Sequence, residues 1–426
     1  MNITLIGAGI VGLASAWALR RDGHAVTVID AAQEVGAGTS HANGGQLSYR
    51  YIAPLADPDV LAKIPGWMLR RDAPVRFRPR FDPEQWRWLL DFLKACNGHD
   101  KLRSVASLLP LSLYSRALVH QLVAEEEVEF DYQRNGKLVI YRNAKGFESA
   151  RRLLERTPEL ANEQHALDES ACLALEPALE RLRGAIRGGI HTPAEEAGDC
   201  HKLCLALERL LRKGANPVRF ELGRQVRGLH WSEGRIRAVR LDGDEALETD
   251  LCVIAAGVGS VDLLRGSGHV VPIYPVKGYS LSIALTPQSR APAMSVTDFE
   301  RKVVYARLGP SLRVAGMADI VGADETIRAD RIATLTAEAR ASFGDWIDGA
   351  AITPWSGLRP ATPSGRPIID RAGDSNLWLN VGHGALGFTL AAGCAGLLAD
   401  RIAGREPAIP DADFRLSSTD PERTHA

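Results

Sequence analysis

Residues 2–30 narrow the choice of fold more than any other part of the chain. Asn2 to Ile6 is a short apolar run, and Gly7-Ala8-Gly9-Ile10-Val11-Gly12 follows at once. Residues 11–22 then place Leu13, Ala16, Trp17 and Leu19 where a helix can turn them inward, and Gly23 stops that helix. A second apolar run, Ala25-Val26-Thr27-Val28-Ile29, is closed by Asp30. Strand, glycine turn, helix and strand in this order predict a βαβ unit that cradles a dinucleotide. Gly7 permits the tight turn, Gly9 lets the backbone approach a diphosphate, and Gly12 lets the helix pack close to the strand. Ala8, Ile10 and Val11 line the same helix N-terminus, whose amides favour an anion. Asp30, 18 residues beyond Gly12, suits the hydroxyls of the adenosine ribose. The motif alone does not separate FAD from NAD.

The chain has 426 residues, two to three domains' worth, with 45 % hydrophobic and 24 % charged residues and a formal net charge of −1. That balance argues against nucleic-acid binding, which shows a basic excess. Six scattered cysteines make a disulfide framework unexpected and point to a reducing cytoplasm. Cys200 and Cys204, beside Asp199 and His201, could share a helix face, but no second ligand pair accompanies them and no metal is assigned. The first twenty residues lack the basic start and cleavage site of a signal peptide. The apolar run 385–399 is broken by glycines and falls short of the ~20 residues of a membrane span.

Glycine-rich segments recur far from the fingerprint. Thr39-Ser40-His41-Ala42-Asn43-Gly44-Gly45-Gln46 suits backbone contact with a planar ring. Residues 250–257 read as a buried strand ending in Ala256 and Gly257, beside the fingerprint strand. Gly382-His383-Gly384-Ala385-Leu386-Gly387 precedes an apolar helix over 390–402, whose N-terminus would stabilise negative charge on a reduced flavin. A cofactor contacted by both ends of the chain must be long, which favours FAD.

With these segments in view, the chain resembles the D-amino-acid oxidase superfamily of flavoproteins, and within it the bacterial D-amino-acid dehydrogenase small subunits. The resemblance is carried by residues 6–17, TSHANGGQLS at 39–48, GDCH at 198–201, YPVKGYSLS at 274–282, RLGPSLRVAGM at 307–317, WSGLRPATPSGRPII at 355–369 and NVGHGALGFT at 380–389. It departs from the family's pattern at His41 and Gly44, where phenylalanine and alanine are usual, close to the expected flavin edge.

The resemblance implies an α/β protein in which a Rossmann-type FAD-binding domain (1–55, 195–265 and 350–426) interleaves with an α+β substrate domain on an antiparallel sheet (56–194 and 266–349). The coarse pattern agrees, with helical stretches over 84–96 and 102–126 and alternating strands over 279–285, 302–307 and 312–314. Ser40, Asn43, Gly44, Gly45, Gln46, Val226 and Gly357 join the fingerprint and the later glycine loops as expected cofactor contacts. Arg359 is the expected anchor of the substrate carboxylate, since guanidinium gives a bidentate charge partner in a dry pocket. Tyr279, Tyr305 and His41 are further candidates, with Tyr49 and Tyr51 for the pocket roof, Lys277 for charge near the flavin, and His383 as a cofactor contact rather than a base.

The implied reaction is hydride transfer from the α-carbon of a D-amino acid to the flavin, with imine hydrolysis to a 2-oxo acid and electrons passed to a quinone or other respiratory acceptor. Two alternatives stay open: a dehydrogenase narrowed to a cyclic D-imino acid such as D-proline or cis-4-hydroxy-D-proline, and a flavin subunit of a hetero-oligomer. Residues 64–93 mix Trp67, Met68, Trp86 and Trp88 with Arg70, Arg71, Arg76, Arg78 and Arg80, a composition that suits peripheral contact of a cytoplasmic protein with the inner membrane or an acceptor.

Overall fold

The fingerprint unit forms as its sequence dictates. In a computed structural model, which describes residues 1–52, 55–58, 66, 70, 73–156, 162–265 and 267–416, the strand Asn2–Ile6 leads into the helix Ile10–Arg21 and the strand Ala25–Asp30. Gly7 takes a φ of +116°, and a Cβ there would lie 2.5 Å from the Ala255 carbonyl oxygen. A Cβ on Gly12 would lie 1.9 Å from the Gly7 oxygen, so only glycine lets the helix sit this close to its strand.

The unit belongs to a six-stranded sheet ordered Ile368–Arg371, Leu377–Val381, Leu251–Ile254, Asn2–Ile6, Ala25–Asp30 and Arg219–Leu222. All pairings are parallel except the outermost one, between Ile368–Arg371 and Leu377–Val381. Ile6 pairs with Ile254 on one side and Ile29 on the other. The central strands are buried on both faces, hence their unbroken apolar runs.

A nine-stranded sheet holds the rest. Its main path is Ile352–Ala361, Tyr274–Ala284, Ser311–Ile320, Val303–Leu308, Ser295–Asp298, Lys137–Tyr141, Gly188–Thr192 and His165–Leu167, with Val75–Phe77 pairing Ser311–Ile320 off that path. Most neighbours are antiparallel, and the helix Ala329–Phe343 covers one face through Leu335, Ala339 and Phe343.

Two segments lie across the expected domain boundary. The strand Ile352–Ala361, placed with the cofactor domain from sequence, pairs along its length with Tyr274–Ala284, from Ile283 opposite Ile352 to Tyr274 opposite Ala361. The helix Gly98–Glu125, placed with the substrate domain, buries Leu108, Leu111, Val119 and Leu122 in the same core as Leu13, Trp17 and Leu397. Gly393 allows that packing, because a Cβ there would lie 2.7 Å from the Leu111 oxygen. The terminal helix, Gly387–Ile402, counted from Gly384, has the length and apolarity of a membrane span, but 61 % of that stretch is buried inside the protein.

Trp88, expected at an interface, is buried instead, with its Nε1 donating to the Ala361 carbonyl at 2.7 Å and its ring stacked on Phe92. Ile64, Trp67, Met68 and Arg71 fall outside the described residues. All six cysteines are buried and free.

Candidate active site

The glycine segments of both chain ends converge on the last half of the strand Ile352–Ala361. Thr39 donates its Oγ1 to the Leu358 carbonyl at 2.7 Å, and Ser280 on the neighbouring strand donates to the Ala42 carbonyl at 2.6 Å. Ala361 bridges to His383, and the strand also touches the Gly257–Gly259 and Gly384–Leu386 turns.

Residues 355, 357 and 359 share one face of that strand by the two-residue period. Val276 stands opposite Arg359 and Gly278 opposite Gly357, so these two share the face as well. A Cβ on Gly278 would lie 2.3 Å from Arg359 Nη2, and one on Gly357 would lie 2.0 Å from the Trp355 ring. The two glycines form a floor on which the Arg359 guanidinium and the Trp355 indole lie flat. Gly357 was expected against the cofactor, but its own neighbour Trp355 covers it. Arg359 Nη1 donates to the Met317 carbonyl at 2.8 Å. Guanidinium has five N–H donors, so a fork remains for an anion. Burial lowers the Arg359 pKa to about 10, with the Asp319 charge opposing it, and the group is cationic at neutral pH. Trp355 and Gly278 were not singled out from sequence, although their shared parity with Arg359 along paired strands is a readable signal.

Tyr279 and Tyr305 do not join this face. Tyr279 is one residue out of phase with Gly278, and its hydroxyl donates to Asp319 at 3.1 Å, where Arg331 also donates. Tyr305 pairs with Val314, which pairs with Leu281, so it shares Tyr279's side, and its hydroxyl lies 3.4 Å from Ser342 in the covering helix. Both are core residues against Leu335 and Phe343. Lys277 shares their phase and is fully buried, its Nζ 3.5 Å from Asp324. Tyr49 is likewise buried, its hydroxyl donating to Glu196, and Tyr51 packs under the Lys137 ammonium. His41 does reach the site's rim: its ring centroid is 6.4 Å from that of Trp355 and 4.5 Å from that of His201. Burial, then His201, lowers its pKa.

The cofactor segments have the form a dinucleotide needs. Gly9 caps the helix Ile10–Arg21 without a side-chain hydrogen bond, and no acidic residue stands in the first turn, so no first-turn carboxylate competes with a diphosphate there. Ser40 accepts from the Ile10 amide at 3.0 Å and ties the loop to this N-terminus. Asp30 accepts from the amides of Ala8 at 2.7 Å and Ala32 at 2.8 Å. A carboxylate has about four lone-pair sites, which leaves two for ribose hydroxyls. Val226 lies half-buried near the end of the Asp30 strand, where Arg224 donates its amide to the Asp30 carbonyl at 3.0 Å. Gly257 has no heavy atom within 4 Å of a Cβ position, and Gly384 only Ala361 Cα at 3.9 Å, so both stand beside open space.

Other expected cofactor residues also shape the loops that carry them. Asn43 Oδ1 accepts from the Gly45 amide at 2.9 Å, and Gln46 Nε2 donates to the carbonyls of Val296 and Tyr305 at 3.2 Å each. Gly44 and Gly45 press on Val304 and Leu308, and Gly382 on Thr362. At the far end, His383 Nε2 lies 3.1 Å from Asn380 Oδ1, Asn380 Nδ2 donates to Ser15 at 2.9 Å, and Ser15 donates to the Val11 carbonyl at 2.7 Å. This chain fastens the C-terminal glycine loop to the fingerprint helix. Burial lowers the His383 pKa to about 3, so it is neutral and no useful base. Leu386 and Gly387 open the helix Gly387–Ile402, again without a side-chain cap or first-turn acid.

The comparisons with known proteins agree with this geometry. The model of the DAO family, FAD dependent oxidoreductase, matches residues 2–401. The chain is 49 % identical to D-amino acid dehydrogenase 2 of Ralstonia nicotianae over 429 residues, covering 98 % of this chain and 100 % of the relative. It is 47 % identical to D-amino acid dehydrogenase 2 of Pseudomonas aeruginosa over 409 residues, covering 96 % of each. Glycine oxidase from Geobacillus kaustophilus superposes with a TM-score of 0.79 at 19 % identity, over 98 % of both chains, and shares the fold. The L-proline dehydrogenase from P. horikoshii superposes at 0.73 with 16 % identity, over 97 % of this chain and 96 % of that one. With a diphosphate cradle at one chain end and an uncapped helix N-terminus at the other, the chain belongs to the family of FAD-dependent oxidoreductases.

Proposed function

We propose that the enzyme oxidises D-amino acids, with Arg359 holding the substrate carboxylate. The observation that carries this reading is the half-buried Arg359 guanidinium, laid over Gly278 with most of its donors unspent at the point where the cofactor segments meet. A carboxylate there gains charge-assisted, bidentate hydrogen bonds. The relatives named D-amino acid dehydrogenase support the stereochemistry and the class of donor.

In this reading, Gly7 to Gly12 hold the FAD diphosphate, Asp30 the ribose, Val226 the adenine, and the loops over 39–46 and 382–387 the flavin ring. When bound, FAD supplies the chemistry by accepting the hydride from the substrate α-carbon. The protein's part is placement. Arg359 fixes one end of the substrate, and the Trp355 indole walls the pocket beside it. Among the described residues, the two strands that carry Arg359 and Gly278 place no carboxylate or imidazole on this face, which suits oxidation of a neutral amine. The imine product then takes up water and releases ammonia.

We further propose that electrons leave to a membrane quinone or similar carrier. Phe81, Trp86 and Leu90 are large exposed apolar side chains, and Arg78, Arg80 and Arg87 are exposed beside them. This mixture suits an anionic membrane surface at the inner membrane. The test is turnover with D-alanine under air or with a soluble quinone analogue, together with sedimentation on anionic vesicles. Quinone-dependent turnover with vesicle binding supports the reading. Rapid peroxide formation under air, or no vesicle binding, would count against it.

A further inference from the structure

Beside the cofactor loop stands a group of ligand-type side chains that the oxidation does not use. Glu34 follows the Asp30 strand, His41 lies within the loop, and His201 opens the helix Cys200–Leu211. One ligand atom from each lies within 4.8 Å of the other two. The His41 and His201 rings are 4.5 Å apart at 48°, too tilted for a stacked pair. His201 Nε2 is buried and has no hydrogen-bond partner among the described residues. A buried imidazole nitrogen without a partner costs free energy unless something else takes it. Arg313, whose charge acts on His41, is paired by Asp199 at 3.4 Å.

We propose that Glu34, His41 and His201 bind one divalent transition-metal ion of the zinc class. Two imidazoles and a carboxylate are the borderline donors such an ion prefers, with water completing the shell. Bonds of about 2.0–2.1 Å require tetrahedral ligand atoms roughly 3.4 Å apart. The ligands must therefore close by about an ångström and a half from their 4.8 Å limit, and Glu34, which is exposed, has the rotamer freedom to do so. The bound ion would tie three segments into one unit: the turn after Asp30, the loop that caps the fingerprint helix through Ser40, and the helix Cys200–Leu211. Two of these hold the FAD, so the ion would retard FAD release. Cys204 packs nearby against Gly36, but its thiol, raised by burial, is a poor ligand.

The test is a calorimetric titration of the FAD-loaded enzyme with Zn2+, repeated with Co2+ read by its ligand-field absorption beyond the flavin band. One ion per chain, with nitrogen-ligated Co2+, is expected. His201→Gln and Glu34→Gln should each weaken binding by more than about 100-fold, above the 10–100-fold typical of outer-shell partners. Glu34 is at the surface, so its variant should fold and hold FAD, which the visible spectrum checks. The loaded enzyme should also release FAD more slowly than the metal-free enzyme. No binding by the wild-type holoenzyme, or variants within threefold of its affinity, would overturn the proposal.

Discussion

Replacing Arg359 with alanine probes the substrate anchor directly. The variant loses one hydrogen bond to the Met317 carbonyl, worth about 1 kcal/mol. Against the 5–15 kcal/mol that hold a typical domain, that loss does not unfold the protein, and FAD stays bound. The kinetic cost is larger. A substrate carboxylate brought into the pocket without its partner is a desolvated, unpaired charge, which costs about 3–5 kcal/mol. At about 1.4 kcal/mol per decade, kcat/KM falls roughly 10²- to 10⁴-fold. Arg359→Lys keeps the charge but loses the fork, and should lie between alanine and wild type. Gly278→Ala supplies an independent check, since its Cβ would lie 2.3 Å from Arg359 Nη2 and must push the guanidinium aside. A displacement of about 1 Å costs around 10²-fold. The assay is steady-state oxidation of D-alanine with an artificial acceptor, with bound FAD measured for every variant. If Arg359→Ala keeps kcat/KM within threefold of wild type with FAD bound, the anchor lies elsewhere.

Other outcomes follow from the same geometry. Tyr305→Phe should leave kcat/KM within about twofold, because its hydroxyl sits on the far side of the sheet; a tenfold loss would put that face in the site. Asp30→Ala removes the acceptor of the Ala8 amide and, on the proposed reading, that of the ribose; equilibrium dialysis should show FAD affinity down about tenfold or more, at roughly 1.5–3 kcal/mol for a charged hydrogen bond. His383 is held neutral by burial, its pKa lowered from 6.5 to about 3. Between those values the unfolded chain binds the extra proton and the folded one does not, so this residue's contribution to stability is lost as pH falls from about 6.5 toward about 3. Thermal melts over that range should flatten in His383→Asn, and an unchanged slope would remove His383 as the cause.

The parts of the fold legible in the sequence are those with a local cause. Gly7, Gly9 and Gly12 act within one turn, and the buried run from Leu251 to Ile254 carries its own signature. Arg359 is legible through its motif; the parity that joins it to Gly357 and Trp355 takes on meaning only once the strand Ile352–Ala361 is known. What parity cannot say is which face of a strand meets which neighbour. Tyr279 is a plausible pocket residue until register sets Val276, not Lys277 or Tyr279, opposite Arg359. That register is a contact across 83 positions of sequence (359 − 276), and no local pattern encodes it. The strand Ile352–Ala361 and the helix Gly98–Glu125 crossed the expected boundary for a related reason: each is decided by its distant partner, Tyr274–Ala284 for the strand and Gly387–Ile402 for the helix. The group of Glu34, His41 and His201 is assembled from three segments that no local pattern links, although His201 stands beside Cys200 in the sequence.

The most direct test of the central claim is anaerobic mixing of the FAD-loaded enzyme with matched D- and L-amino acids, followed by loss of the oxidised-flavin absorbance. Bleaching by several D-amino acids and not by their L-enantiomers is the predicted result, and bleaching by D-proline or hydroxy-D-proline alone would narrow the substrate to a cyclic imino acid. Bleaching by L-amino acids alone, or by none, would contradict the account of the substrate while leaving the FAD cradle standing.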